Sequence, residues 1–315
     1  IDEDNGDDEA HGYVLFAGLP VGASACSVPV FRYALERWPV SPYFAVVVAD
    51  APLTAEEQAA VTLLKKASDG VSGSLNLMVR QLTTEELAKS RRTEALPASK
   101  GSGTRMHLLY PSAEDIEVPI WSGPLTRESA RKMIDTPFRK ALAKKIVEGN
   151  CGVFILLESG NKARDDAAAK AMDGYIAEVA KTLKLPDGVV EADGNVTGGG
   201  PIGYDPIDRL QSAIPLKVAF TSLRLPRKGT DDLMVALLTH LEADLKTYSD
   251  QPMVFAVYGR GRALPPLVGA GITLDNIGAI TSFLTGACSC QVKSMNPGVD
   301  LLLDYDWDRA VFGQD

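Results

Sequence analysis

Residues 251–284 read QPMVFAVYGRGRALPPLVGAGITLDNIGAITSFL, and this segment contains the clearest structural pattern in the chain. The apolar run at 253–258 stops at Gly-Arg-Gly, and a second short apolar stretch follows. A short glycine-containing turn between two such runs predicts an antiparallel hairpin. After the hairpin in sequence, Thr273 is a good helix cap and Gly286 a good helix stop, which predicts a helix between them.

Upstream of this hairpin, short apolar runs alternate with helical patterns. CGVFILLE (151–158) is a continuous apolar run, typical of a strand covered on both faces. ARDDAAAKAMDGYIAEVAKTLKL (163–185) predicts an amphipathic helix, PLKVAFTSLRL (215–225) a strand, and TDDLMVALLTHLEADLKTY (230–248) a second helix. Together with the hairpin, this order predicts an α/β fold.

The same order resembles the thioredoxin family. Segment 251–284 is similar to the C-terminal half of thioredoxin, with a proline before a strand, a glycine turn, a strand ending in LVGAG and a terminal helix. The resemblance covers most of residues 151–286. It implies a central mixed sheet flanked by helices, and it places Pro252 where the family has a cis-proline that faces bound peptide or thiol.

The first half repeats the order, from the strand pattern YFAVVVAD (43–50) to a closing helical segment that Pro137 should divide. We therefore predict two tandem thioredoxin-like domains, each a central mixed sheet flanked by helices. The predicted division is an acidic flexible N-terminal segment (1–26), domain 1 (27–149), domain 2 (150–286), and a cysteine-containing C-terminal tail (287–315) packed on a domain.

Both predicted domains lack the residues of the family's dithiol chemistry. The resemblance places a Cys-x-x-Cys motif between the first strand and the first helix, yet the corresponding stretches, ADAPLTAEE (49–57) and ESGNKARDD (158–166), contain no cysteine. What the family retains without these cysteines is binding, as in the non-catalytic modules of protein disulfide isomerase-type proteins. We expect a protein or peptide partner and no cofactor, and the sequence leaves open whether the chain has any enzymatic turnover.

The predicted binding site combines Pro252 with the loop before the first helix of domain 2. Its residues are Ser159, Gly160, Asn161 and Lys162. Amides at a helix N-terminus have no partner within the helix, so we expect them to receive an anionic or carbonyl group of the partner.

Cys288 and Cys290 are the best chemical candidates among four cysteines, and three interpretations stay open. They form a catalytic redox pair, because a small Cys-x-Cys ring is strained and easily reduced, and the protein is then a thiol-disulfide oxidoreductase. Alternatively they bind Cu or Zn, with Cys26 as a further ligand. In the third interpretation Cys26 forms a structural disulfide with one of them.

Composition narrows the partner classes. Acidic residues outnumber basic ones 41 to 32, which gives a net charge of -9, and no basic stripe is present, so we expect no nucleic-acid partner. No apolar run approaches the roughly 20 residues that span a bilayer, so we expect no membrane insertion. The start at Ile1 fits a removed signal peptide or a trimmed chain, so a periplasmic or secreted location is suspected and a cytoplasmic one stays open. Arg260 and Arg262 are expected in a solvated turn, with contact to an acidic surface as the alternative.

Overall fold

The computed structural model describes residues 26–313 except 71–72, 90–95, 97–103, 115, 117 and 200–205. Within these ranges the chain is an α/β structure with two mixed sheets flanked by helices, which confirms the predicted α/β class. Apart from Cys26, the predicted N-terminal segment lies outside the described residues.

The first half contains the first sheet. In chain order its elements are α1 (Val30–Arg37), β1 (Tyr43–Val48), α2 (Ala55–Ala67), β2 (Leu77–Leu82), α3 (Thr84–Ala88), β3 (Arg105–Leu109), β4 (Trp121–Pro124), α4 (Arg127–Ile134) and α5 (Pro137–Val147). The strand order is β2-β1-β3-β4. β1 is parallel to β2 and antiparallel to β3, and β3 is antiparallel to β4.

The second half contains the second sheet. Its elements are β5 (Gly152–Leu157), α6 (Lys162–Val179), β6 (Phe220–Leu225), α7 (Asp232–Thr239), β7 (Met253–Tyr258), β8 (Arg262–Ala263), β9 (Leu267–Val268), α8 (Leu274–Thr285), β10 (Val299–Asp300) and α9 (Trp307–Phe312). The order is β10-β8-β7-β5-β6, with β9 beside β7. β5 is parallel to β6 and antiparallel to β7, and β7 is antiparallel to β8, so these four strands repeat the arrangement of the first sheet.

Local sequence signals explain most helix boundaries. Thr273 accepts a hydrogen bond from the Asn276 amide and caps α8, as expected. Pro137 occupies the first turn of α5, whose cap is Thr136, so the predicted break between α4 and α5 is confirmed. The predicted hairpin is also confirmed, because residues 259–261 join β7 to β8 and Gly259 and Gly261 have φ of 58° and 92°.

The two sheets share a hydrophobic core. One cluster of buried side chains includes residues of β1, α5 and one face of β5, and the Tyr110 hydroxyl donates to the Leu237 carbonyl at 2.8 Å. The opposite face of the second sheet is covered by α6, α8 and also by α1, which contributes Phe31 and Tyr33. Helix α1 belongs to the predicted domain 1 by sequence but packs on the second sheet. The division into two domains stays a prediction.

Residues 290–303, here called the tail strap, connect the two halves. The amide of Asn76 donates to the Ser41 carbonyl at 3.0 Å and to the Leu301 carbonyl at 3.1 Å, and its oxygen accepts from the Leu303 amide at 2.9 Å. Leu301, Leu302 and Leu303 are buried in the shared core. The strap is therefore held by the first sheet although β10 pairs with the second.

Ion pairs fix the same strap. Arg262 donates to Asp300 at 3.2 Å, both side chains are buried, and Lys293 donates to the other oxygen of Asp300. The expectation that Arg262 lies in a solvated turn is wrong, because the strap covers it. Arg260 contacts the more exposed Asp308 at 2.9 Å, so the alternative of an acidic surface within the chain is the correct one.

No helix in the described residues combines the length and apolar character needed to cross a bilayer.

Candidate functional site: a carboxylate at a helix N-terminus and a group of thiols

The structure brings the two parts of the predicted binding site to one edge of the second sheet. Leu157, the last residue of β5, lies opposite Met253, the first residue of β7. Arg227 joins the segments that continue from there, since it donates to the Glu158 carbonyl at 3.0 Å and to the Gln251 carbonyl at 3.3 Å. Pro252 and the loop 159–162 are therefore neighbours.

The side chain of Asp165 accepts hydrogen bonds from backbone amides at this edge. Its buried carboxylate accepts hydrogen bonds from the Ser159 amide at 2.7 Å, the Ser159 hydroxyl at 2.7 Å and the Gly160 amide at 3.1 Å. The Asn161 amide donates to the Ser159 hydroxyl at 3.1 Å. The amides of Ser159, Gly160 and Asn161 therefore have acceptors within the chain, and binding of a partner group by the helix amides stays a prediction.

Asp165 was missed by sequence reasoning. An acidic residue in the first turn of a helix usually indicates a favourable interaction with the helix dipole, and that signal was present in ARDD. The pattern alone did not show that the carboxylate turns back onto the preceding loop.

Pro252 differs from the family expectation. No peptide bond in the described residues is cis, so the predicted cis-proline is wrong. Pro252 is buried, and its carbonyl accepts from the Gly269 amide at 2.9 Å. The accessible part of this edge consists of Gly160, Asn161 and Lys162.

The first sheet has a corresponding edge. Val48, which ends β1, lies opposite Arg105, so Thr104 takes the place that Pro252 has in the second sheet. The Thr104 carbonyl accepts from the Leu125 amide at 3.3 Å, just as Pro252 accepts from Gly269. Here Thr54 caps α2 through a capping box with Glu57, and bonds from Thr54 and Thr104 lower the pKa of Glu57.

Cys26 and Cys288 come together where the start of the described chain meets the end of α8. Pro29 and Ala287 form an antiparallel bridge, the Cys288 amide donates to the Val28 carbonyl at 2.9 Å, and the Val30 amide donates to Gly286 at 3.0 Å. Both cysteines are buried in the same apolar cluster, at 2% and 1% exposure. The structure therefore places the predicted disulfide partner, Cys26, beside Cys288.

The environment of these thiols does not activate them. Burial, followed by the neighbouring thiols of Cys26 and Cys290, raises the pKa of Cys288 to about 11. Burial also raises the pKa of Cys26. A thiol with such a pKa is only about one part in ten thousand thiolate at neutral pH, and thiolate is the nucleophile. The assignment of Cys288 and Cys290 as a catalytic pair stays a prediction.

The described residues add no further ligands to Cys288 and Cys290 for the predicted Cu or Zn site. In the described part of the chain, no group of three or more His, Cys, Asp and Glu side chains is arranged to hold a metal ion. The sulfur of Cys288 points to the Cys290 carbonyl at 3.2 Å, and the sulfur of Cys290 points to the Val292 carbonyl at 3.9 Å. The two sulfurs thus contact different carbonyls.

A cavity of about 450 Å³ lies between α4 and α7 and was not expected from the sequence. Trp121, Met133 and Leu233 line it together with Asp231. Asp231 is buried, caps α7 and accepts from the Arg139 guanidinium at 3.0 Å. The volume falls within the range of small-molecule sites, but the charged groups named here are already paired within the chain.

No protein-family model matches the chain, and neither the curated proteins nor the solved structures that were searched contain a match. The comparisons assign no family to it.

Proposed function

We propose that this chain consists of two thioredoxin-like modules that bind a protein or peptide partner without dithiol chemistry. Support comes from the strand order β2-β1-β3-β4, which recurs as β6-β5-β7-β8 with the same strand directions. In both sheets a helix follows the first strand, and the loop between them contains no cysteine.

The loop that Asp165 holds at the start of α6 is the observation that carries the proposal. A thiolate at this position would use the positive end of α6 for stabilisation. In this chain a buried carboxylate already bonds to Ser159 and Gly160. The loop is thereby held in a fixed shape, which lowers the entropic cost of binding a partner there.

Exposed residues at the same edge provide the contact surface. Asn161 and Lys162 are exposed at the start of α6, and Arg164 pairs with exposed Asp250 from the segment before β7 at 3.4 Å. Exposed ion pairs contribute little to stability. Arg164 and Asp250 can therefore separate and pair with charges of a partner at a small cost in free energy.

Peptide selection on the immobilised full chain tests the proposal. We expect peptides whose binding weakens about tenfold when Lys162→Glu reverses the charge at the loop, since each 1.4 kcal/mol changes affinity tenfold. Lys170→Glu, also exposed on α6 but farther from its N-terminus, is the matched control and should leave affinity unchanged. Peptides that bind both variants equally, or a failure to select any binder, would contradict the proposal.

The alternative function is thiol-disulfide exchange or Cu/Zn handling by Cys288 and Cys290. One observation favours exchange: Cys290 is half-buried and so more accessible than Cys288. Reduction of insulin disulfides by the reduced chain, lost in Cys290→Ser and retained in Cys151→Ser, would support this function. An inactive wild-type chain would exclude it.

A further inference from the structure

Three of the four cysteines lie in one place, two of them buried and one half-buried. Cys290 is half-buried, whereas Cys288 and Cys26 are 1% and 2% exposed. The fourth, Cys151, is also buried, and its thiol donates to the Lys217 carbonyl at 3.1 Å. Cys151 therefore has a separate partner and provides an internal control.

The bridge between Pro29 and Ala287 sets the relation of Cys26 to Cys288. In this antiparallel pairing Val28 lies opposite Cys288, so their side chains share a face. Cys26 lies two residues before Val28 and is buried in the same apolar cluster as Cys288.

Each sulfur atom has a backbone partner in its own segment, and the thiol of Cys26 lies close enough to Cys288 to contribute to the raised pKa of Cys288. The thiol of Cys26 bonds to the backbone of Val28, the residue opposite Cys288. The thiol of Cys288 points to the carbonyl of Cys290, so it also faces the most accessible of the three cysteines. Formation of a disulfide between them requires Cβ atoms roughly 4 Å apart.

We propose that Cys26 and Cys288 are an oxidation site that forms a disulfide with a low-molecular-weight disulfide such as oxidised glutathione as oxidant, and that Cys290 reacts first. The Cys290 thiolate attacks glutathione disulfide, forming a mixed disulfide and releasing one glutathione thiolate. The Cys288 thiolate then attacks the Cys290 sulfur and releases the second glutathione. Finally the Cys26 thiolate attacks the Cys288 sulfur and returns Cys290 to the thiolate. Overall, two protein thiols are oxidised and one glutathione disulfide is reduced to two thiols.

The resulting bond would join the segment before α1 to the segment after α8. A third segment meets them, because the Ser27 amide donates to Asp208 at 2.7 Å. The bond would close a loop of roughly 260 residues, and long loops gain the most from crosslinking. This modification does not depend on the proposed peptide binding.

Oxidation of the full chain followed by alkylation and peptide mass mapping tests the proposal. With excess oxidised glutathione we expect a transient glutathione adduct on Cys290 and a final peptide that links Cys26 to Cys288. Cys290→Ser should slow formation of that link about tenfold or more, because the remaining thiols are buried. Cys151→Ser should form it at the wild-type rate, and the oxidised wild-type chain should melt roughly 5 °C higher than the reduced chain.

Mapping of the disulfides in the wild-type chain gives a test that does not depend on the folding of any variant. A stable link from Cys290 to either other cysteine would overturn it, and so would fully alkylated Cys26 and Cys288 after long oxidation. An unchanged rate in folded Cys290→Ser would overturn the order of reaction.

Discussion

The two sheets have the same strand order but differ in how their faces are covered. In the second sheet all six residues of β5 are buried, because the shared core covers one face and α1, α6 and α8 cover the other. In the first sheet Phe44 and Val48 are only half-buried, and Met78 on the edge strand β2 is 45% exposed. We therefore expect the inner strand β5 to contribute more to stability than the inner strand β1.

The loops that lead into α2 and α6, the helices after β1 and β5, differ as well. In the first sheet exposed Thr54 and half-buried Glu57 satisfy each other in a capping box. In the second, buried Asp165 bonds to the loop itself. Thr54 and Asn161 thus cap the two helices in the same way, and in the second half a buried carboxylate also holds the preceding loop.

Removal of Asp300 should have the largest effect, because it releases the strap that joins the two sheets. Asp300→Ala leaves buried Arg262 without its carboxylate and removes the acceptor of the Ser41 amide at 2.6 Å. We expect a loss of about 3–5 kcal/mol in the free energy of unfolding by urea denaturation. Asp308→Ala, which removes the exposed partner of Arg260, should cost less than about 1 kcal/mol. Equal losses would show that the strap does not join the sheets.

Substitution of Asp165 should have the next largest effect and would sharpen the difference between the two helix ends. Asp165→Ala leaves the Ser159 and Gly160 amides without their acceptor, so we expect a loss of about 2–3 kcal/mol. Glu57→Ala, at the corresponding exposed helix, should cost about 1 kcal/mol or less. Thermal or urea unfolding of both variants gives the comparison, and a larger loss for Glu57→Ala would reverse our interpretation.

Identical substitutions in the inner strands β5 and β1 test the coverage of the sheets. Val153 in β5 is fully buried and Val48 in β1 is half-buried. Val153→Ala should cost about 2 kcal/mol, and Val48→Ala less than about 1 kcal/mol, because less apolar area is removed from contact. A larger loss for Val48→Ala would mean that the first sheet is the better covered one.

Alkaline pH should destabilise both sheets together. Burial raises the pKa of Tyr43 in β1 well above 10, and burial also raises the pKa of Tyr258 in β7. A raised folded-state pKa leaves stability intact below the unfolded value near 10 and reduces it as pH rises further. Because the core is shared, we expect tyrosine ionisation and loss of ellipticity in one transition. Two separate transitions would indicate independent sheets.

Local signals allowed much of this fold to be predicted from the sequence. Thr273, Pro137 and the glycine turn act through neighbouring backbone atoms, so their positions were correct. The packing of α1 on the second sheet, the burial of Arg262 and the role of Asp165 depend on residues distant in the chain or on side-chain direction. The periodicity of apolar residues contains no information on contacts between distant residues or on side-chain direction. The cavity between α4 and α7 was missed for the same reason.

Paired cysteines at the two helix starts test most directly whether both halves are the same module without its reactive residues. Thr54 and Asn161 are caps whose side chains accept from the third helical residue, Glu57 at 3.3 Å and Arg164 at 3.1 Å. We expect Thr54→Cys/Glu57→Cys and Asn161→Cys/Arg164→Cys each to form a reversible disulfide and to reduce insulin disulfides above the wild-type level. Folded double variants that remain dithiols in excess oxidised glutathione, or that show no gain over wild type, would contradict the account.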